Sequence, residues 1–227
     1  MERNVAYVIG ILACALTLSA SAGPTVTIND SPYQAGEGGE FAAVVISSTV
    51  AGLPLGSAFS TFCMERNEYL TLGNSYYAVV NTYAVSGGVA GQLYGTNMDP
   101  LDPRTAWLYD GFLNGTLSGY NYTNATQRLV SAAALQNAIW YLEQEITTLP
   151  SGLATQFVAM ANASTWYQLG TIGNVRILNL YTDAQNLHSS QDVLCRVVPA
   201  VPAPGAILLT GLGTAIVGAV RRRRAMR

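Results

Sequence analysis

Lysine is absent from this chain of 227 residues, and histidine occurs only once, at His188. With one histidine and no CxxC pair, zinc and other transition-metal sites lack ligands, and no metal or cofactor is expected. Charged residues make up only 11% of the chain, against about a quarter in an ordinary domain. Half of the residues are apolar, which excludes a disordered, highly charged chain. Positive charge is scarcest in the middle. Five of the eleven arginines are Arg221, Arg222, Arg223, Arg224 and Arg227, whereas residues 23–199 hold five against twelve acids, a formal net charge of −7. A nucleic-acid backbone would be repelled by such a domain, so no nucleic-acid partner is expected. The chain also lacks a glycine-rich phosphate loop and any internal repeat.

What the middle lacks, the ends supply. Residues 1–22 have the layout of a secretory signal peptide. Arg3 lies in a short polar start, Val5 to Leu18 is mostly apolar, and Ala20-Ser21-Ala22 is an A-x-A cleavage site. Ile11-Leu12-Ala13-Cys14 is a loose lipobox, so lipidation at Cys14 is the alternative. At the other end, 199–204 is a proline-rich spacer, 205–220 a Gly- and Ala-rich apolar segment, and 221–227 a basic tail. The apolar segment is a marginal membrane span, since sixteen helical residues rise about 24 Å against a hydrocarbon core of roughly 30 Å. The arginines would hold the end in the cytoplasm and leave the domain outside. This three-part end resembles the PEP-CTERM sorting signal of Gram-negative surface proteins. Its motif here is Val201-Pro202-Ala203-Pro204, with Ala203 where the family usually has Glu. The resemblance implies an exosortase as processing partner and a cell-surface or outer-envelope location; an ordinary single-pass anchor is the alternative.

One domain is expected over residues 23–198. Thr25–Asn29, Glu40–Ser47, Ala58–Glu65 and Tyr76–Val85 are β-branched or aromatic runs between turn formers, and predict strands. Pro103 to Leu113 has helical spacing after the turn-rich Asn97-Met98-Asp99-Pro100. A longer helix is expected from Ala125 to Thr147, with Asn124 and Gln127 at capping-box spacing and Leu149-Pro150 ending it. Its apolar stripe is Ala132, Leu135, Ile139, Leu142 and Ile146. A further helix is expected over 153–162, then strands over 174–181 and 191–198. Strands, helices, then strands predict an α+β fold, an antiparallel β-rich sandwich- or barrel-like domain with a helical insertion.

Chemistry-bearing residues are few. Asp99, Asp102 and Asp110 lack EF-hand spacing and are better explained as turn formers than as Ca²⁺ ligands. Glu65 with Glu68, and Glu143 with Glu145, read as surface charge rather than as acid/base pairs. The cysteines outside the signal are Cys63 and Cys195. A disulfide between them is one reading, and a Cys63–His188 nucleophile pair a weaker one. Tyr76, Tyr77, Tyr83, Tyr120 and Tyr122 would supply stacking faces if the domain were a disulfide-stapled, non-covalent matrix- or carbohydrate-binding module.

A different partner for Cys63 comes from the long helix. Gln136 lies on the shoulder of the apolar stripe, in Leu135-Gln136-Asn137-Ala138-Ile139-Trp140. Together with Phe62-Cys63-Met64, that segment resembles the thioester domains of bacterial surface adhesins. In that family an aromatic-Cys strand motif meets a hydrophobic-Gln-x-Ala-Ile-Trp motif. Trp107-Leu108-Tyr109-Asp110-Gly111 looks like the family's helical segment, and the resemblance spans about Phe41 to Glu145. It implies an internal Cys63–Gln136 thioester with Phe62, Ile139 and Trp140 keeping water away, and the Gln motif on the helical insertion. It also implies single-use covalent attachment to a surface amine or hydroxyl of another cell, protein or polymer, without enzymatic turnover. The missing lysine fits, because the protein cannot acylate its own or a sister molecule's lysine. The thioester and the disulfide are mutually exclusive.

Overall fold

The computed structural model describes residues 23–36, 38–85, 88–89 and 97–199. The signal-peptide and Cys14 readings, the Val201-Pro202-Ala203-Pro204 motif, the apolar segment and the basic tail therefore lie outside the described residues. Among the described residues, no helix is long and apolar enough to cross a membrane.

Six strands form one antiparallel sheet: β1 Thr25–Asn29, β2 Phe41–Ser47, β3 Ala58–Thr61, β4 Ser75–Asn81, β7 Val175–Tyr181 and β8 Val193–Arg196. Their order in the sheet is β3-β2-β1-β4-β7-β8. Two short strands, β5 Tyr83–Val85 and β6 Met98–Pro100, pair beside it. The sheet curls into a half-barrel, and its two edge strands come back together. Beyond the end of β3, Cys63 bridges Val193 of β8, Leu194 N donates to Phe62 O, and Met64 N donates to Asp192 O. This is the expected α+β, antiparallel β-rich fold with a helical insertion.

The insertion lies between β6 and β7 and comprises α1 Pro103–Leu113, α2 Ala125–Leu142, α3 Leu153–Asn162 and α4 Thr165–Leu169. Asp102 caps α1 by accepting from Arg104 N, with Pro103 in the first turn, where a missing N–H costs nothing. Asn124 caps α2 by accepting from Gln127 N. The Gln127 carboxamide turns to Asn121 instead of completing a capping box.

Two cores result. One lies between sheet and helices and holds Phe62, Leu108, Tyr109, Leu135, Ile139 and Ile177. The other, wrapped by the sheet, holds Val26, Ile28, Cys63, Trp140, Leu178 and Cys195. Strand β7 shows why both exist. Val175 and Ile177 face the first core and Leu178 and Leu180 the second, so the strand is buried on both sides.

Three expected boundaries shift. Tyr76–Val85 is two strands, β4 and β5, because the chain leaves the sheet after Asn81. The third expected strand stops at Thr61 rather than Glu65, since Phe62 to Met64 turn to pair with β8. Helix α2 ends at Leu142, not Thr147: Gln144 takes φ +65°, and Glu145 N and Ile146 N both fold back onto Trp140 O. Strand β6 falls in the segment expected to be turn-rich, and helix α4 was not expected, although Ser164 caps its start and Gly170 ends it in the left-handed region.

Candidate functional site

The site is assembled on the backbone of Cys63. In its bridge to Val193, the hydrogen bonds on either side are made by Phe62 and Met64. Cys63 itself sits at a non-hydrogen-bonded antiparallel position, so its own N–H and C=O point away from β8. Gln136 takes up both, although 73 positions separate the residues. Its Oε1 accepts from Cys63 N at 3.0 Å, and its Nε2 donates to Cys63 O at 2.8 Å. A second backbone donor, Gly39 N, reaches the same Oε1 at 3.0 Å. The Gln136 carboxamide thus pairs with Cys63 as a neighbouring strand would.

The environment is closed. Gln136 is 1% exposed and Cys63 3%. Phe62, fully buried, packs edge-on against Phe112 with ring centroids 5.1 Å apart. Ile139 is fully buried beside it in the helix-side core, while Cys63 and Trp140 belong to the sheet-side core. The pair therefore straddles the seam between the two cores. Trp140 Nε1 is buried with no hydrogen-bond partner. Burial pushes the Cys63 thiol well above its ordinary range, and the negative charge of Glu65 pushes it further. A cleft of about 670 Å³ is lined in part by Gln136; Gly38, Asn137, Trp140, Arg66 and Glu145 help line it, and Cys63 does not.

Sequence reasoning missed the supporting cast. Gly38 lies so close to Gln136 that a Cβ there would stand 2.2 Å from its Cγ. Glu40, 1% exposed, receives Arg128 Nη2 at 2.7 Å and Nε at 3.0 Å, with Ser60 Oγ and Tyr120 Oη as further donors. This ion pair ties the Gly38-Gly39 segment to the helix that carries Gln136. Tyr109 Oη donates to Ser60 O and Leu194 O, so α1 braces both strands that present Cys63. Arginine and glutamate at these positions read alike whether paired or solvated, and only their apolar flanks could have signalled burial.

Several alternatives are corrected. Cys63 and Cys195 are both free and buried, so the disulfide of the binding-module reading is absent. Burial holds the Cys195 thiol at about 12. His188 is an exposed loop residue bonded to Asp183, whereas Cys63 is enclosed, so no nucleophile pair forms. Among the five tyrosines, Tyr76 and Tyr120 are buried, which breaks up the stacking surface. The carboxylates read as surface charge are largely internal: Glu65 is 2% exposed, Glu143 3% and Glu145 5%. Asp102 holds Arg104 and Asp110 holds Arg196, while Asp99 is buried on β6, so each aspartate of that trio has its own role. No protein-family model, curated protein or solved structure matches the chain.

Proposed function

We propose that the protein is a cell-surface adhesin module that joins Cys63 and Gln136 in an internal thioester and spends it once, acylating a target amine or hydroxyl. The observation that carries this reading is the seating of the Gln136 carboxamide on the backbone of Cys63, with two N–H donors on its carbonyl oxygen.

The chemistry follows from that seating. Amides are poor electrophiles, and two backbone donors at 3.0 Å polarise the carbonyl and stabilise the oxyanion formed on attack. Because burial keeps the Cys63 thiol protonated, its proton must leave as sulfur attacks the amide carbon. The departing nitrogen receives it: the C–S bond forms, the C–N bond breaks, and ammonia leaves without any change of oxidation state. Holding the two groups together replaces a bimolecular encounter, an effect worth several kcal/mol. Gln136 is also one of the residues lining the cleft, which would give a target nucleophile a route to the acyl group. Attack there forms an amide or ester at Gln136 and returns the thiol of Cys63.

Secretion by residues 1–22 and sorting through 199–227 would place this chemistry outside the cell. Exosortase would be the processing partner, and residues 205–220 would hold the chain in the membrane before processing. Deleting 199–227 is expected to release the protein into the medium or periplasm; unchanged envelope retention would instead support Cys14 lipidation.

Intact-mass spectrometry tests the bond. The purified protein is expected to weigh less than its sequence by one ammonia, and methylamine is expected to restore an amide at Gln136 while freeing one thiol at Cys63. Cys63→Ala and Gln136→Ala are expected to abolish both changes, and Cys195→Ser neither. A wild-type mass equal to the sequence mass would overturn the reading.

A further inference from the structure

Immediately after Cys63 the chain gathers carboxyl groups that no cationic side chain among the described residues pairs with. Glu65, Glu68 and Asp192 each offer a carboxylate oxygen within 4.8 Å of the others. Glu65 is 2% exposed, and its Oε2 and that of Glu68 are buried without a hydrogen-bond partner. None of the ion pairs among the described residues reaches these three side chains. Asp192, fully buried, is held from behind: its Oδ2 accepts from Val85 N at 2.6 Å and Asn179 Nδ2 at 2.8 Å, and Oδ1 from Leu180 N at 3.3 Å. The two backbone segments are fixed to each other as well, since Gln191 Nε2 donates to Glu65 O at 2.8 Å and Met64 N to Asp192 O at 2.9 Å.

We propose that Glu65, Glu68 and Asp192 form a Ca²⁺ site that clamps the segment following Cys63 to the start of β8. Oxygens that share one Ca²⁺, each about 2.3–2.6 Å from it, lie no more than roughly 5 Å apart, which is the spacing found here. The donor set is all carboxylate, so it suits a hard cation and not zinc or copper. Two carboxylates with a spare oxygen each can bind in bidentate fashion, and waters entering beside the half-buried Glu68 complete the shell. Buried carboxylate oxygens left without a donor are costly, and a divalent ion removes that cost at two of them at once. The site is inferred without the thioester: it rests on different side chains and on a different deficit.

The test uses the full-length chain, freed of metal with a chelator and titrated with CaCl₂ by calorimetry and by thermal unfolding. One Ca²⁺ is expected to bind, with a dissociation constant in the range of extracellular modules, about 10⁻⁴–10⁻³ M, and to raise the melting temperature. Glu68→Gln, isosteric and at the half-buried edge, is expected to keep the fold by circular dichroism and weaken binding about tenfold or more; Glu65→Gln should do the same. No heat and no thermal shift would overturn the proposal, as would a Ca²⁺ response that both variants retain. A melting temperature indifferent to Ca²⁺ but raised by acid, with Glu68→Gln removing the rise, would identify a shared proton in place of the ion. Intact mass, read on the same samples, reports the thioester separately, so failure of either idea is recognised without the other.

Discussion

A methyl group at Gly38 would meet the Gln136 side chain at three atoms, 2.2 Å from Cγ, 2.8 Å from the amide carbon and 2.9 Å from Oε1. No rearrangement of a flexible end relieves this, because Oε1 and Nε2 are both fixed by the backbone of Cys63. Gly39 is confined by the opposite wall, where a Cβ would stand 2.6 Å from Thr61 O. Gly38→Ala is therefore expected to displace the carboxamide from its two donors and to destabilise the fold by about 1–3 kcal/mol. Urea unfolding reads the second effect. Intact mass reads the first, as a larger fraction of molecules that keep their ammonia; an unchanged mass distribution would show that the carboxamide's placement does not govern the chemistry. At this scale the sequence is only half legible. Cys63 and Gln136 stand out through their flanking apolar residues, whereas Gly38-Gly39 reads as a turn, because nothing in two glycines says which distant side chain will approach them.

Elements carry the site through one buried ion pair. Helix α2 presents Gln136 from its fourth turn, and about two turns earlier Arg128 grips Glu40, the residue following Gly39. The Arg128 guanidinium also stacks over the Tyr33 ring at 4.0 Å, so the helix is held to both ends of the segment before β2. Removing one partner of a buried pair leaves the other charge uncompensated, which typically costs about 3–5 kcal/mol. Arg128→Ala is expected to fall at the lower end, about 3 kcal/mol, since the arginine side chain is 18% exposed. Equilibrium denaturation checks it, and a loss below about 1 kcal/mol would mean that the pair behaves as a surface contact. The periodicity of α2 was legible because Ala132, Leu135, Ile139 and Leu142 repeat at helical spacing and are all buried. Its end was not. Five residues of helical composition follow Leu142, and they leave the helix because the Glu145 carboxylate is drawn to Arg66 N and Val89 N, contacts that exist only in the folded chain.

For the whole molecule, the consequence of closing a half-barrel over two cores is that acidic residues end up inside. Most strands and helices of that architecture were legible from period and turn residues, but the burial of Glu65 and Asp192 was not, since it depends on β8 returning beside the continuation of β3. Interior carboxylates make stability depend on pH in a direction opposite to that of salt-bridged ones. Asp99 is raised to about 6, first by burial and then by the charges of Glu145 and Asp102. Glu143, buried beneath Asp102 N, is raised well above its ordinary value, again chiefly by burial. In the unfolded chain both ionise near pH 4, so above that point the native state holds protons that the unfolded state has lost. Stability then falls as pH rises, for Asp99 through the window from about 4 to about 6, and for Glu143 over a range reaching further upward. With a chelator present to keep the Glu65 cluster free of metal, the melting temperature is expected to be higher by a few degrees near pH 5 than near pH 8. Glu143→Gln removes one of the two groups and is expected to flatten the profile, because an amide at that position has no charge to acquire. A melting temperature that climbs from about pH 5 to about pH 8 would mean that these carboxylates are ionised and paired in the native protein, and that the interior is less starved of cations than its arginines indicate.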